Sequence, residues 1–103
     1  MISGFALAEP TAQGGYSNGT EYQSWGSSQK LHYAIGFING LLVAPFMGAD
    51  NAQTIWLDRC VENMRGTQVA AILDEYLAEN PAKWHFPLNI LSLSAMESAC
   101  REQ

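Results

Sequence analysis

The stretch from Ser27 to Gly48 (SSQKLHYAIGFINGLLVAPFMG) constrains the fold more than any other part of the sequence. At 3.6 residues per turn it forms a broad apolar stripe along one side of a predicted helix. The stripe consists of Leu31, Ile35, Ile38, Leu41, Leu42 and Phe46. We therefore predict a central, almost fully buried helix. Pro45 should kink or end this helix within a turn, because proline lacks a backbone donor.

Three small residues, Gly36, Gly40 and Ala44, stand four apart on the same helix. Each glycine costs a helix about 1 kcal/mol relative to alanine, so two on one face indicate that another backbone approaches closely. That backbone belongs either to another helix of the same chain or to the same helix of a second copy.

Residues 34–49 carry no charge, but these 16 residues fall short of a membrane span. Crossing a bilayer takes about 18 residues or more. The stretch also contains Asn39 and Pro45, and Lys30 lies just before it. We therefore predict a core helix of a small soluble protein rather than a transmembrane helix.

The length of 103 residues predicts a single domain. Ten acidic residues against five basic ones give a formal net charge of −5 and a pI near 4.7. No basic patch is present, which disfavours nucleic acid and anionic membranes as partners, whereas a basic protein surface would be attracted. No phosphate loop or metal-ligand spacing occurs, so neither a cofactor nor a metal is expected.

The two cysteines, Cys60 and Cys100, form no CxxC motif and have no histidine pair nearby, which disfavours zinc. An even count in a small acidic domain fits one disulfide, and a disulfide implies a location outside the reducing cytosol. Closing the loop between the two cysteines would add about 4 kcal/mol of stability. The alternative is a pair of buried free thiols.

The beginning of the chain, Ile2–Ala8, is similar to the end of a secretory signal. It is a short apolar piece that closes on the A-x-A pattern Ala6-Leu7-Ala8. The apolar run is short and the usual positive leading region is missing, so either the chain begins partway through a signal or the similarity is chance. We predict a flexible leader over residues 1–19 and one helical domain over residues 20–103.

No segment alternates apolar and polar residues as a β-strand does, so the predicted class is all-α. We expect a small bundle of four to five helices around the long glycine-containing helix. Short helical turns are predicted at residues 20–25 and 52–58, and Cys60 is placed in an irregular connection that ends at Gly66. The candidate helix caps are Asn18 or Thr20, Ser27 or Ser28, and Thr67.

Two further amphipathic helices follow Gly66. The first has a helical apolar period in Val69, Ile72, Leu73, Tyr76 and Leu77, with Asp74, Glu75 and Glu79 on its outer face. Asn80-Pro81 should stop it. The second begins at Pro87, which suits the first position of a helix, and its stripe consists of Leu88, Leu91, Ala95 and Ala99, with Leu93, Met96 and Cys100 beside it.

Residues capable of catalysis are few. Cys60 with His85 or His32 is the one nucleophile–base combination that the sequence offers. Cys60 is better explained as half of a disulfide, which abolishes its nucleophilicity. His32 fits a helix surface, and His85 lies in a loop between two aromatic residues. We therefore predict that the protein is not an enzyme.

The loops carry two tryptophans. Trp84 lies beside His85 between two prolines, and Trp56 lies between Asp50 and Asp58. A tryptophan in a loop either covers a small core or is exposed as a binding anchor. Both readings remain open for each tryptophan at this point.

The order of these features resembles the Rap/Tai family, the immunity proteins of amidase effectors that type VI secretion delivers. The resemblance covers about Gln23 to Cys100. It rests on a long helix with the run YAIGFING at residues 33–40, on Cys60 before an amphipathic helix at residues 67–79, and on Asn80-Pro81 before the turn WHFP at residues 84–87. A last helix then ends in Cys100.

The resemblance implies a small helical periplasmic protein, often dimeric, that carries no cofactor and catalyses nothing. It would neutralise a peptidoglycan amidase by covering the catalytic groove. A concave groove requires a protruding, rigid element, and residues 80–86 and 48–58 are the two candidates. We favour the first loop, because prolines stiffen both of its ends. The predicted contact residues are Asn80, Lys83, Trp84, His85, Asp50, Trp56 and Asp58.

A protein of another class is the alternative. A small, acidic, helical periplasmic chaperone of the acid-stress type, or a carrier, would share the length, the charge and the single disulfide. Such a chaperone is expected to bind many clients in acid, whereas an immunity protein binds one amidase tightly at neutral pH.

Overall fold

The structure, a computed structural model, describes residues 14–101. In this part of the chain five α-helices are joined by loops and three short 3₁₀ turns, which confirms the predicted all-α class. The helices are α1 (Gly19–Ser24), α2 (Ser27–Leu42), α3 (Ile55–Val61), α4 (Gly66–Glu79) and α5 (Leu88–Arg101). The 3₁₀ turns are Ala44–Met47, Asn51–Gln53 and Pro81–Lys83.

Helix α4 lies between α2 and α5 and contacts both. Its buried residues Val69, Leu73 and Leu77 stand four apart, as the sequence period predicts. Helix α5 supplies the facing wall. The core of buried apolar side chains comprises Tyr22, Ala34, Ile38, Leu57, Val69, Leu73, Leu77, Leu88, Leu91, Ala95 and Met96.

Helix α2 is less buried than predicted, and the description of it as almost fully buried is wrong. Only Ala34 and Ile38 are buried in it, while Ile35 is 42% exposed. Helix α2 does carry an apolar stripe, but the other helices cover only one side of α2. The helix does end near Pro45, because α2 stops at Leu42 and a 3₁₀ turn takes over.

Helices α1, α2 and α4 begin with a similar arrangement of side-chain hydrogen bonds, and only the cap of α1 is predicted correctly from the sequence. The Asn18 side chain accepts the Glu21 N–H and caps α1, as predicted. The other predicted caps, Ser27 or Ser28 and Thr67, are wrong because these residues already lie inside their helices. In α2 and α4 the capping residue is one or two positions earlier, at Gly26 and Arg65. In each case the side chain of the glutamine three residues later accepts its N–H, at 3.2 and 2.7 Å.

The segment before α1 belongs to the folded domain. The Leu88 N–H donates to the Ser17 carbonyl at 2.7 Å, and Asn18 pairs with Pro87 in an isolated antiparallel bridge. The predicted boundary between a flexible leader and the domain at Gly19 is therefore too late in the chain. The possible signal remnant at residues 2–8 lies outside the described residues.

Cys60 and Cys100 form a disulfide, with their Cα atoms 5.8 Å apart. Cys60 lies inside α3 rather than in the irregular connection predicted for it, because the helix extends to Val61. The bond fastens α3 to the last turn of α5, and the buried Leu57 side chain adds an apolar contact from the same helix.

Candidate functional site

The turn between α4 and α5 is rigidly built. The Asn80 side-chain amide donates to the Tyr76 carbonyl at 2.8 Å and closes the end of α4. Pro81 then begins a 3₁₀ turn, and the Phe86 N–H donates to the Lys83 carbonyl at 3.0 Å. Since each of these bonds lies within the turn or joins it to α4, the loop has one defined shape. We call residues 80–87 the proline turn.

Trp84 holds the proline turn against the bundle. Its indole N–H donates to the Leu77 carbonyl at 2.7 Å, and its ring packs against the core. Its own carbonyl accepts the Thr20 N–H at 3.1 Å, which also ties α1 to the turn. The position of the indole favours the core-packing reading of Trp84, and its role as a binding anchor stays a prediction.

The outer side of the proline turn is formed by Lys83, His85 and Phe86, all exposed. The rings of His85 and Phe86 lie 4.3 Å apart, and 42% of Phe86 remains accessible. Asn80 is half-buried, and its amide is engaged with the end of α4. The side chains available to a partner here are thus one cation, one imidazole and one phenyl ring.

The second predicted contact loop, residues 48–58, also uses its tryptophan internally. The Trp56 indole N–H donates to the Gln53 carbonyl at 2.7 Å, and the Arg101 guanidinium lies 5.2 Å from the ring centre. The Asp50 carboxylate accepts the Ala52 N–H at 3.0 Å and caps a 3₁₀ turn. Asp58 is exposed in the first turn of α3.

The structure does not bring the two predicted contact loops together. The proline turn precedes the first residue of α5, whereas residues 49 and 52–54 line a groove together with Leu93, Glu97 and Arg101 farther along that helix. A 14-residue helix is about 20 Å long. The two loops therefore occupy opposite ends of α5 and form two separate surfaces.

The most exposed large apolar side chains were missed from the sequence. Phe46 is 89% exposed and Met47 is 85% exposed, and both lie in the 3₁₀ turn that follows α2. Continuing the helical period past Pro45 places Phe46 in the buried stripe, and this prediction is wrong. The proline was the available signal, because a stripe cannot continue beyond the end of its helix. We call residues 45–48 the apolar tip.

The face of α2 that carries Gly36 and Gly40 is open. Among residues 14–101, no atom from outside this stretch of the helix backbone lies within 4 Å of a Cβ added to either glycine. No helix in the described part of the chain therefore packs on these glycines, which contradicts that alternative for residues 14–101. Ala44 does not continue this open face, because it is half-buried and lines a groove instead.

Two tyrosines supply the polar contacts inside the bundle. Burial raises the pKa of Tyr22, and nearby Asp74 raises it further; the phenol donates to the Ala70 carbonyl at 3.3 Å. Lys30 lies 4.9 Å from the Tyr22 ring centre and 3.4 Å from the Asp74 carboxylate. Burial likewise raises the pKa of Tyr33. Both phenols are therefore neutral at neutral pH and serve to join helices.

The Tyr33 hydroxyl lies 2.9 Å from the Ser92 hydroxyl, which donates in turn to the Leu88 carbonyl at 2.7 Å. This chain of hydrogen bonds explains why a serine is buried in α5. It links α2 to α5, and the two hydroxyl groups that form the link are already hydrogen-bonded. The tyrosine–serine pair is therefore structural.

The geometry leaves little for chemistry at the cysteine. The Cys60 sulfur is bonded to Cys100 and is not available as a nucleophile. Among residues 14–101, no cluster of three His, Cys, Asp or Glu side chains is arranged to hold a metal ion. No helix in the same range is long and apolar enough to cross a membrane.

Comparisons with protein-family models, curated proteins and solved structures find no match to this chain.

Proposed function

We propose that the protein is an immunity protein that binds a peptidoglycan amidase effector of a type VI secretion system and inhibits it by occluding its active-site groove. The proposal starts from the resemblance of residues 23–100 to the Rap/Tai family. The all-α bundle and the single disulfide between the two cysteines agree with what that resemblance implies.

The observation that carries the proposal is the proline turn. It has a fixed backbone, because Trp84 and Asn80 fasten it to α4 while Pro81 and Pro87 limit its freedom. A loop that is already ordered loses little conformational entropy on binding. Its exposed side chains, Lys83, His85 and Phe86, include an aromatic ring and a cation, which suit a contact inside a concave groove.

The charge of the chain supports a protein partner with a basic surface. The net charge is −5, and α4 carries the exposed residues Asp74, Glu75 and Glu79. Long-range attraction between this surface and a basic rim would raise the association rate. We propose that the protein acts in the periplasm, where an amidase meets peptidoglycan and where a disulfide persists.

A direct experiment tests this function. The purified chain is used to capture proteins from a bacterial lysate, and the captured material is assayed for peptidoglycan amidase activity. We expect an amidase in the captured material whose activity falls to background when one equivalent of the chain is added at neutral pH. A captured amidase that remains active with excess chain would refute the proposal. Suppression of the aggregation of unrelated proteins in acid would favour the chaperone instead.

Two double variants locate the contact. His85→Ala with Phe86→Ala removes an imidazole and an apolar side chain from the proline turn. The matched control, His32→Ala with Ile35→Ala, removes the same kinds of groups from α2, and Phe86 and Ile35 are both 42% exposed. We expect only the first pair to weaken inhibition.

We also propose that the protein forms a homodimer. Apolar side chains remain exposed on and after α2, among them Ile35, Val43, Phe46 and Met47. Soluble monomers seldom leave large apolar patches uncovered. Sedimentation or light scattering at micromolar concentration tests this, and a mass of 11.3 kDa would identify a monomer and contradict the proposal.

A further inference from the structure

A groove of about 480 Å³ opens at the end of the bundle opposite the proline turn. Its walls come from the end of α2, the loop of residues 49–54, the start of α3, and α5 from Leu93 onward. Its lining is Leu41, Ala44, Ala49, Ala52, Gln53, Thr54, Trp56, Leu93, Glu97 and Arg101. We call it the tip groove because Ala44, at its edge, is the residue before the apolar tip.

The chemistry of the tip groove suits an apolar side chain. Most of its lining is aliphatic or aromatic. Its two charged residues neutralise each other, because Arg101 lies 3.4 Å from the Glu97 carboxylate and also stacks over Trp56. Specific recognition of a small polar ligand requires several polar groups that converge on it. A groove whose charges are already paired favours a hydrophobic occupant.

The apolar tip cannot fill the groove of its own chain. Three hydrogen bonds fix its backbone: Phe46 N–H to the Val43 carbonyl, Gly48 N–H to the Pro45 carbonyl, and Ala49 N–H to the Ala44 carbonyl. Gly48 has φ = 104°, a conformation that favours glycine and reverses the chain here. With the turn closed in this way, Ala44 faces the groove while Phe46 and Met47 remain in solvent.

We propose that the occupant of the tip groove is the apolar tip of a second copy, inserted reciprocally in a two-fold dimer. In such a dimer each copy donates its tip and receives that of its partner, so one contact is made twice. This inference rests on the homodimer proposal and is independent of the amidase proposal.

Charge favours a contact at this place. Each copy has a net charge of −5, so association through most of the surface brings like charges together. Residues 34–49, which include the tip, carry no charge, and the pair Glu97–Arg101 at the groove is neutral overall. A contact between tip and groove therefore avoids the repulsion that the charged parts of the surface would impose.

Most of the area buried at this contact would come from the tip. Phe46 and Met47 are 89% and 85% exposed, and a buried aromatic side chain accounts for about 150–250 Å², so four tip side chains from two copies would bury roughly 600–800 Å². The mouths of the two grooves add less than this. A specific interface of about 1,200–2,000 Å² therefore requires that the surfaces beside the tip and the groove also be buried.

The test places a photoreactive benzoylphenylalanine at position 46 of the full chain. Unlabelled and ¹⁵N-labelled copies are mixed, irradiated and mapped by mass spectrometry. We expect cross-links between copies of different mass that end on the peptides containing Trp56 and Leu93. Three results would overturn the proposal: no cross-linked dimer, links between copies that end near Gly36 and Gly40, or links within single chains only.

Two variants test the contact from both sides. Phe46→Ser with Met47→Ser removes the tip, and Ala52→Trp blocks the groove from an exposed position. Each should raise the dissociation constant of the dimer by about 30-fold or more, with an unchanged melting temperature once the protein is monomeric. Ile90→Ser, which alters a 53% exposed residue near the proline turn, is the matched control and should leave the dimer intact.

The two proposals can fail separately. If the tip variant is monomeric and the parent chain has no effect on any amidase, the dimer contact stands and the immunity function falls. If the parent chain inhibits an amidase while the tip variant still dimerises, the function stands and the contact between tip and groove is wrong.

Discussion

The two ends of α5 differ in what they do with their aromatic residues. At the proline turn, the Trp84 ring packs inward and its N–H bonds to α4. At the other end, Trp56 behaves in the same way, but the nearby Phe46 and Met47 are left in solvent. At the proline turn, the largest side chain holds the backbone of its own chain in place. At the other end, large side chains stand exposed on a turn whose shape is already held by backbone hydrogen bonds.

This difference shows that the type of aromatic residue beside a proline helps to predict whether its ring is buried or exposed. A tryptophan carries a donor that needs an acceptor when it is buried, and both tryptophans find a carbonyl within seven residues along the chain. Phenylalanine has no such requirement, so a turn can expose it without losing a hydrogen bond. The tryptophans therefore act as internal fasteners, and the surfaces beside them are the places where a partner would bind.

Removing the disulfide should lower the stability more than any other change. Among the two binding surfaces, it should disturb only the one at the tip groove. Cys60→Ala with Cys100→Ala is expected to lower the free energy of unfolding by about 4 kcal/mol. The bond joins α3 to the last turn of α5, which are two walls of the tip groove. Dimerisation should therefore weaken in the variant, while amidase binding by the proline turn persists in the folded fraction.

Denaturant unfolding and light scattering measure these two effects. A titration of denatured, non-reduced parent protein should find no free thiols, and two thiols would contradict the disulfide. Equal losses of dimerisation and of amidase binding would show that the two ends are not independent.

Trp84→Ala should have the next largest effect, which is a loss of stability. Truncating a large buried aromatic residue costs about 3–5 kcal/mol, and since Trp84 is only half-buried we expect about 3 kcal/mol. The affinity of the remaining folded protein for an amidase should change little. Trp84→Phe keeps most of the ring, so it should lose about 1 kcal/mol, corresponding to the hydrogen bond to the Leu77 carbonyl.

Thermal unfolding and binding, measured on the same samples, separate the two readings of Trp84. If affinity falls by about 2 kcal/mol or more and stability holds, the indole inserts into the partner. The description of Trp84 as an internal fastener would then be wrong.

The sequence predicted where the helices lie, but it predicted less well how much of each helix the rest of the protein covers. The period of α4 was clear because Val69, Leu73 and Leu77 face one continuous core. The exposure of α2 was not predictable from its own residues. An apolar stripe shows which face prefers burial, but it does not show how much of that face the other helices cover.

The candidate site was predicted in part for a similar reason. The stiffness of residues 80–87 is predicted from the two prolines at its ends, which act locally. The tip groove did not follow, because residues about 40 positions apart, such as Ala52 and Leu93, line it together. The starts of α2 and α4 differ from the prediction because a glutamine at the third helical position, rather than a serine or threonine cap, bonds the residue before the helix.

The exposed side of the proline turn should matter for binding and hardly at all for folding. Lys83→Ala, His85→Ala and Phe86→Ala together should weaken amidase binding by about 2 kcal/mol. The free energy of unfolding should change by about 0.5 kcal/mol or less, as is usual for exposed positions. Calorimetric titration against the captured amidase measures the first quantity. An unchanged affinity would move the inhibitory surface to residues 48–58.

The smallest expected effect is a gain in stability on α2. Gly36 and Gly40 lie inside a helix, and in the described part of the chain the space where a Cβ would go is open at both positions. Replacing such a glycine stabilises a protein by about 0.4–1 kcal/mol, chiefly because the unfolded chain loses freedom.

If the second copy is held through the tip groove, Gly36→Ala and Gly40→Ala should raise stability and leave the dimer unchanged. If instead the copies pack α2 against α2, the added methyl groups would separate the helices and weaken the dimer. Unfolding measured at two protein concentrations distinguishes these cases, because only the second makes the effect of the substitutions depend on concentration.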